Sequence, residues 1–336
     1  IAGLGHSLLK KCLGDKPFTG LPVKPLTGVF PALTCTVQAT MRTAAPVPEH
    51  GIVGNGFFSG DQWRPSFWEQ SSRLCAGERI WARLRDRGGK VAQLFIQQSL
   101  GTESDIVLSP APIHKHHGGM IMDCMSEPAA LGQRLNEQLG AFPLPHYWGP
   151  RASIRSSRWI SAAVESVMLW EHPDFIFAYI PHLDYVLQRY GPDGRQARKG
   201  CREVDRLISA LVKRARSERY EPVVFGDYPF EPATGVVYPN RFLAENGFLK
   251  TRTVKGMLYP NFHMSSAFCV ADHQVAHLHI WDGKEREAVR KGLASLEGVE
   301  TVLGDAGKQI VGLDHPRSGD FILVAKPGYW FDYRWW

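Results

Sequence analysis

Two helix-and-strand pairs in the middle of the sequence constrain its fold most strongly. Residues 153–170 and 201–216 carry apolar side chains at helical spacing, and they lead into short apolar runs at 175–180 and 222–225. Alternation of this kind is typical of parallel strands that are covered by helices on both faces of the sheet. The sequence therefore predicts an α/β fold with a largely parallel central sheet.

The segments before these pairs extend the same pattern. Residues 77–87 predict a helix and 90–96 a strand. Residues 97–150 are rich in Gly, Pro, His and Met, and we expect loops on the substrate side there, with one helix near 128–139. The first residues, 1–4, predict an apolar strand that ends in a glycine turn.

The last third of the chain has a different character. Residues 266–280 predict one long strand or a hairpin, 284–296 a helix and 320–326 another strand. Short antiparallel strands around a helix indicate a smaller α+β subdomain. We therefore expect a core at residues 1–262 and a subdomain at 263–336.

Composition and charge exclude some classes of function. The net charge of +6 and the pI near 9.0 fit an anionic substrate. The basic residues are scattered except at 213–219, where they suit the solvated end of a helix, so we expect no nucleic-acid partner. No apolar run reaches the roughly 18 residues of a membrane-spanning helix, so we expect no membrane segment. The sequence makes no prediction of oligomeric state.

The cysteines and the chain ends bear on location and completeness. The six cysteines lie far apart with no Cys-x-x-Cys pair, which in a chain of 336 residues indicates the reducing cytoplasm. Both ends are expected to be cut within the fold, the second because residues 330–336 form an aromatic cluster that would be awkward as a free tail.

The segment 31–55 carries the strongest indication of chemistry. A hydroxyl-rich turn at Thr34 follows a Pro-marked apolar run and begins a helix-compatible stretch. The N-terminus of a helix favours an anion such as phosphate, and Asn55 could donate a further hydrogen bond to it. Taken alone, Thr34 could be only an N-cap and Asn55 an ordinary turn residue. Cys35 is a rival nucleophile, although a small buried hydrophobe is its commoner role.

Two acidic residues follow the apolar strands of the predicted sheet. Asp184 comes after the strand at 175–180, and Asp227 comes after the strand at 222–225. Ligands bind at the carboxyl ends of strands in open α/β sheets, and a buried acid there needs a partner or a cation. The two acids are a plausible metal pair, for zinc if His joins them and for magnesium, manganese or calcium if the ligands are all oxygen.

Histidines supply further candidate ligands. If 272–279 is one strand, then His273, His277 and His279 share a face, with Asp272 able to orient one of them. The alternative is a hydrogen-bonded strand with at most one His at the site, and we favour it for His279 while leaving His273 and His277 open. The His-rich stretch 114–117 could chelate an ion, but an exposed loop is the commoner case.

Segment 31–55 resembles the nucleophile region of type I phosphodiesterases/nucleotide pyrophosphatases, in the alkaline phosphatase superfamily. The resemblance implies that Thr34 is the nucleophile and that Asn55 contacts the phosphoryl oxygens. It implies an alkaline phosphatase-like α/β/α sandwich. In that family, an Asp in the first strand, an Asp-x-x-x-His, an Asp-His-Gly and a last His hold two zinc ions.

The sequence departs from this ligand pattern at several positions, which are, in chain order, Ala2, Gln188 after Asp184, and Tyr228 after Asp227. The last His would lie beyond Trp336. A standard two-zinc site is therefore not expected from these residues. A bacterial subfamily found in secondary-metabolism gene clusters is similar over nearly the whole chain, in the strings LTCTVQAT, HGIVGNGFF, IPHLDYVLQRYGPD and VADHQVAH.

The leading expectation is a phosphoester hydrolase with Thr34 as nucleophile, acting on a small phosphorylated or phosphodiester substrate. A divalent metal, zinc first and manganese or magnesium second, would be held by some of four residues, namely Asp184, Asp227, His273 and His277. The alternative is a metal-poor pseudoenzyme that binds a phosphorylated ligand or a partner protein. Phosphomutase and sulfatase chemistry are also compatible with the superfamily, but residues 35–39 lack the Pro and Arg of a sulfatase motif.

Overall fold

The computed structural model of the protein describes residues 1–101 and 104–336. The helices are α1 (His6–Leu13), α2 (Pro17–Gly20), α3 (Thr34–Thr43), α4 (Val47–His50), α5 (Ala82–Arg85), α6 (Ala129–Leu139), α7 (Ile154–Glu171), α8 (His182–Tyr190), α9 (Arg195–Ser217), α10 (Pro239–Glu245), α11 (Arg286–Ala294) and α12 (Asp305–Ile310). The strands are β1 (Gly56–Ser59), β2 (Arg64–Phe67), β3 (Val91–Leu94), β4 (Ile106–His114), β5 (Met120–Glu127), β6 (Phe175–Ala178), β7 (Gly235–Val237), β8 (Thr251–Val254), β9 (Met257–Pro260), β10 (Ala267–Asp272), β11 (Val275–Ile280), β12 (Val299–Leu303), β13 (Phe321–Ala325) and β14 (Tyr329–Phe331). Short 3-10 helices lie at Ser72–Leu74, Leu144–His146, Gly149–Arg151 and Phe262–Met264.

The chain forms two compact units. Unit 1 contains Ile1–Gly28, Gln70–Arg73 and Glu78–Glu231, and unit 2 contains Val29–Glu69, Leu74–Gly77 and Pro232–Trp336. The division into domains at 1–262 and 263–336 stays a prediction. In the described part of the chain, no helix combines the length and the apolar character needed to cross a bilayer.

Unit 1 is built on a four-stranded sheet in the order β5-β4-β3-β6. Strand β3 pairs in parallel with β4 and β6, and β5 adds to the edge in antiparallel fashion. Helix α9 presents Val204, Ile208 and Val212 to the core, because residues four apart lie on one helical face. The predicted helices at 153–170 and 201–216 are confirmed as α7 and as part of α9, and the strands at 90–96 and 175–180 as β3 and β6.

Two predicted strands of unit 1 are not formed. Residues 1–4 and 222–225 have no strand pairing, although Ala2 N donates a hydrogen bond to Ile180 O at 3.0 Å. Pro222 has no N–H for a ladder, which shortens any pairing that the second segment could make. The two segments nevertheless lie side by side, because a Cβ at Gly226 would collide with the carbonyl of Leu4. They therefore meet near Asp227 without forming a ladder.

The loop prediction for 97–150 is wrong over much of its length. Strands β4 and β5 form a long antiparallel hairpin there, and helix α6 follows at the predicted place. Pro110 and Pro112 interrupt the apolar pattern of β4, yet they lie beyond the stretch of β4 that pairs with β3. A strand with one partner tolerates residues without an N–H on its other edge. Residues 102 and 103 of this segment lie outside the described residues.

Unit 2 contains an antiparallel sheet in the order β10-β11-β13-β12. Helices α10 and α11 supply apolar side chains to its core, among them Leu243, Val289 and Leu293. Of the two alternatives for 266–280, a long strand or a hairpin, the hairpin is formed, as β10 and β11. The predicted helix at 284–296 and strand at 320–326 are confirmed as α11 and β13. Unit 2 also holds α3 and α4, so the segment 31–55 belongs to the same unit as the His-bearing hairpin.

Candidate functional site

Helix α3 begins at Thr34, as the sequence predicts. The preceding residue, Leu33, makes no side-chain cap, so the first N–H groups of the helix need other partners. One of them is Asn55, whose Oδ1 accepts the backbone N–H of Cys35 at 3.0 Å. Thr34 is buried at this end. The structure thus brings Asn55 back to the start of the helix that carries Thr34.

Asp272, at the end of β10, holds Asn55 in place. Its Oδ2 accepts the backbone N–H of Asn55 at 2.7 Å, and its Oδ1 accepts the side-chain Nδ2 at 3.1 Å. Asp272 is only 4% exposed, so these bonds to a carboxylate form away from water, where they are strong. The approach depends on Gly54, where a Cβ would lie 3.1 Å from Asp272 Oδ2.

The same carboxylate orients an imidazole. His273 Nδ1 lies 2.9 Å from Asp272 Oδ1, and because a carboxylate accepts, Nδ1 carries the proton. The His273 side chain is 48% exposed, in contrast to its partner. We call Cys35, Asn55, Asp272 and His273 the Asp272 network. It connects the start of α3 to a half-exposed imidazole by hydrogen bonds alone.

The expected single face of three histidines is not formed. His273 lies in the two-residue turn between β10 and β11 with φ of 59°, whereas His277 and His279, two residues apart in β11, share one face of that strand. His277 is buried, its Nδ1 accepts the N–H of Gly319 at 3.2 Å, and burial lowers its pKa to about 4. Burial also lowers the pKa of His279 to about 4. His277 is thus a buried side chain and His279 a half-buried one, and both are neutral at pH 7.

The His-rich stretch lies at the tip of the β4–β5 hairpin. His114 ends β4, and His116 and His117 lie in the turn, all of them exposed. This agrees with the commoner case of an exposed His-rich loop.

Asp184 lies in unit 1, in the first turn of α8. Its Oδ2 accepts Nε2 of Gln188 at 2.8 Å, one helical turn further on. Its Oδ1 accepts the hydroxyl of Tyr228 at 3.1 Å. Both carboxylate oxygens of Asp184 therefore accept hydrogen bonds from neutral groups. We call Asp184, Gln188 and Tyr228 the Asp184 cluster.

Asp227 lies beside this cluster through its neighbour Tyr228. Its Oδ1 accepts the N–H groups of Gly3 and Tyr228, each at 2.9 Å. Its Oδ2 is buried and has no hydrogen-bond partner among residues 1–101 and 104–336. Burial raises the pKa of Asp227 to about 6. The methyl group of Ala2 stands where the family resemblance places a carboxylate.

These residues do not fit the two-zinc centre that the resemblance implies. Within the described residues, no group of three or more His, Cys, Asp or Glu side chains is placed to hold a metal ion. A cation on the oxygens of Asp184 would face the positive hydrogens of a phenol and an amide, and Asp227 offers one carboxylate oxygen without a partner. A zinc site needs about four ligands. Metal binding by Asp184, Asp227, His273 or His277 stays a prediction.

Sequence reasoning found most of these residues but missed some of their roles. The sequence identifies Gln188 and Tyr228 as departures from the family's ligand pattern but does not identify them as donors to Asp184. The bond from Gln188 could have been found, because residues four apart on a helix are neighbours. The bond from Tyr228 joins residues 44 positions apart and has no local signal.

Comparisons with known proteins agree with this fold. The sequence profile of the type I phosphodiesterase/nucleotide pyrophosphatase family matches residues 8–336. Comparison with curated proteins finds no match. The chain is similar to the solved structure of phosphonoacetate hydrolase from Sinorhizobium meliloti 1021 in complex with phosphonoformate, with 17% identity, 91% of this chain and 73% of that chain covered, and a TM-score of 0.59.

Two further solved structures are similar to the chain. One is an inactive form of murine ectonucleotide pyrophosphatase/phosphodiesterase 5 in complex with AMP, with 16% identity, 98% of this chain and 78% of that chain covered, and a TM-score of 0.64. The other is the human protein of that name, with 15% identity, 91% and 71% covered, and a TM-score of 0.58. At these identities the likeness shows the fold alone, and it confirms the predicted alkaline phosphatase-like α/β architecture.

Proposed function

The chain belongs to the type I phosphodiesterase/nucleotide pyrophosphatase family, whose members are phosphoester hydrolases, and we propose that it cleaves a phosphodiester or phosphoanhydride bond in a small metabolite. The observation that supports this most directly is the bond from Cys35 N–H to Asn55 Oδ1, which places a fixed amide beside Thr34 at the start of α3. Two similar structures, one bound to phosphonoformate and one to AMP, are consistent with a small phosphorus-containing ligand.

In this proposal the anion binds at the N-terminal end of α3, where Thr34 lies. The first N–H groups of a helix and its dipole attract a phosphoryl group. Asn55 uses its Oδ1 on Cys35 and one Nδ2 hydrogen on Asp272, and an amide has a second N–H to donate. We assign that second N–H to a phosphoryl oxygen, which keeps the role predicted for Asn55.

The reaction proceeds in two steps. The Thr34 hydroxyl oxygen forms a bond to phosphorus while the bond from phosphorus to the leaving oxygen breaks. His273 takes the Thr34 proton and passes it to the leaving oxygen, because Asp272 holds the proton on Nδ1 and leaves Nε2 as the basic nitrogen. Water then forms a bond to phosphorus while the bond from phosphorus to the Thr34 oxygen breaks. One proton of the water passes to Thr34 and restores its hydroxyl, and a phosphomonoester is released from a phosphodiester substrate. No step is routed through a metal.

The test is hydrolysis of bis-p-nitrophenyl phosphate, combined with acid quenching and mass spectrometry of the peptide that contains Thr34. We expect turnover. We also expect a transient increase in the mass of that peptide by one p-nitrophenyl phosphoryl group. Turnover without any modified peptide at burst times, together with normal rates in Thr34→Ala, would exclude the covalent mechanism.

A second candidate function is favoured by the Asp184 cluster. If the carboxylates of unit 1 serve only in structural hydrogen bonds, the chain could bind a phosphorylated ligand without cleaving it. In that case AMP would raise the melting temperature while no product formed. The cytoplasmic location also stays a proposal, and it is consistent with the lack of disulfides among the six cysteines, all of which lie in the described residues.

A further inference from the structure

We propose that the Asp184 cluster is a metal-independent replacement for a zinc centre, so that the chain keeps its fold without a firmly held divalent ion. The proposal concerns unit 1 and does not rest on the proposed hydrolysis. It is supported by the set of hydrogen bonds that the carboxylates of Asp184 and Asp227 accept.

The first step is the saturation of Asp184. Its two oxygens accept from Gln188 at 2.8 Å and from Tyr228 at 3.1 Å, and the residue is buried. A buried carboxylate needs either a cation or hydrogen-bond donors, and here neutral donors supply the need. Both donors stand at positions where the resemblance places the imidazoles of a metal site.

The second step is that the fold itself holds the two donors, Gln188 and Tyr228, beside Asp184. Gln188 is one turn beyond Asp184 on α8, so helix geometry alone brings the two side chains together. Tyr228 is held by its backbone N–H on Asp227 Oδ1, and its ring packs against Phe230 with centroids 5.8 Å apart. Moving Tyr228 aside for a metal would break the contact between its ring and that of Phe230.

The third step concerns Asp227. Two backbone N–H groups occupy Oδ1, and only Oδ2 lacks a partner among the described residues. Ala2 supplies no oxygen at the neighbouring position. One carboxylate oxygen falls well short of the roughly four ligands that zinc requires.

The test is zinc titration of the full-length protein after dialysis against EDTA, read as melting temperature and as bound metal by mass spectrometry. Neither readout depends on turnover, so failure of this proposal and failure of the hydrolase proposal are distinguishable. We expect no rise in melting temperature and less than stoichiometric zinc. A rise that disappears in Asp184→Asn would overturn the proposal, as would EDTA-sensitive turnover that zinc restores.

A gain-of-ligand variant sharpens the result. Gln188→His combined with Tyr228→His places two imidazoles beside the two carboxylates, and we expect it to acquire a zinc-dependent rise in melting temperature. If the double variant shows this rise and the wild-type protein shows one of the same size at the same zinc concentration, the proposal is overturned. Should the double variant not fold, wild type compared with Asp184→Asn still decides the question.

Discussion

Two polar clusters of this protein meet the same problem in different ways. The Asp272 network of unit 2 and the Asp184 cluster of unit 1 each bury a carboxylate that needs partners. Asp272 accepts from Asn55 and lies beside the protonated nitrogen of a half-exposed imidazole. Asp184 accepts from an amide and a phenol that both lie within its own unit. The first arrangement joins the start of α3 to an imidazole, and the second joins a helical amide and a phenol to one carboxylate.

The difference follows the sequence. Thr34 and Asn55, where the chain matches the family pattern, lie together at the start of α3, where we propose that phosphate binds. Gln188 and Tyr228, where the chain departs from the pattern, satisfy a carboxylate that a metal would otherwise neutralise. A family match therefore carries over site by site, because function depends on the groups present and not on the fold.

The largest expected effect concerns Thr34, at the start of the helix that the Asp272 network contacts. Thr34→Ala removes the proposed nucleophile, and we expect kcat/KM for bis-p-nitrophenyl phosphate to fall by about 10³-fold or more. Thr43→Ala is the matched control, since its hydroxyl bonds Ala39 O at 2.8 Å at the other end of α3. Equal losses in both variants would point to helix stability instead of chemistry.

The second prediction tests whether the residues of the Asp272 network depend on one another. Asp272→Asn keeps the shape but loses the charge and turns one donor toward Asn55 or His273. Hydrogen bonds to charged groups contribute about 1.5–3 kcal/mol each, so we expect the free energy of unfolding to fall by about 3 kcal/mol. Activity should fall as well, because His273 loses the carboxylate that orients its imidazole.

The control for this experiment is Asp305→Asn, which removes an exposed carboxylate of the same unit that pairs with Lys308. We expect little change in urea unfolding there. An Asp272→Asn variant as stable and active as the control would show that the network contributes neither to stability nor to activity.

How much of this could be predicted from sequence depends on the range of the interaction. The helix that carries Thr34 and the amphipathic face of α9 follow from local periodicity. The bonds between Asn55 and Asp272 join residues 217 positions apart, and a single sequence holds no signal for such a pair. A hairpin at 266–280 is one of the two predicted alternatives, but the position of its turn at His273 is not predicted, because residues 272–279 contain no Gly or Pro to mark a break in the strand. The hairpin β4–β5 was missed for the opposite reason, since its prolines resemble loop punctuation.

The third effect concerns His277, one of the two histidines for which the sequence leaves both readings open. Burial holds the pKa of His277 near 4 instead of 6.5, so the unfolded chain binds more protons between these values. Stability from this group is complete above pH 6.5 and is lost as the pH falls toward 4. We expect roughly 2 kcal/mol less stability at pH 5 than at pH 7.5 from His277.

The measurement is urea unfolding of wild type and His277→Gln at both pH values. The variant should be less stable at pH 7.5 but should show a smaller loss at pH 5, because Gln does not titrate. His116→Gln, at the exposed hairpin tip, should keep the wild-type pH dependence. An unchanged slope in His277→Gln would mean that other groups dominate acid unfolding.

The smallest effect tests the closed cluster directly. Tyr228→Phe deletes the hydroxyl that Asp184 Oδ1 accepts while keeping the ring against Phe230. We expect a loss of about 1–2 kcal/mol in the free energy of unfolding, because the carboxylate loses a donor in a buried site. Tyr190→Phe serves as the control, since Tyr190 is 57% exposed on the same helix as Asp184. If both variants unfold like wild type, the phenol does not stabilise Asp184, and the contrast between the two clusters loses its energetic basis.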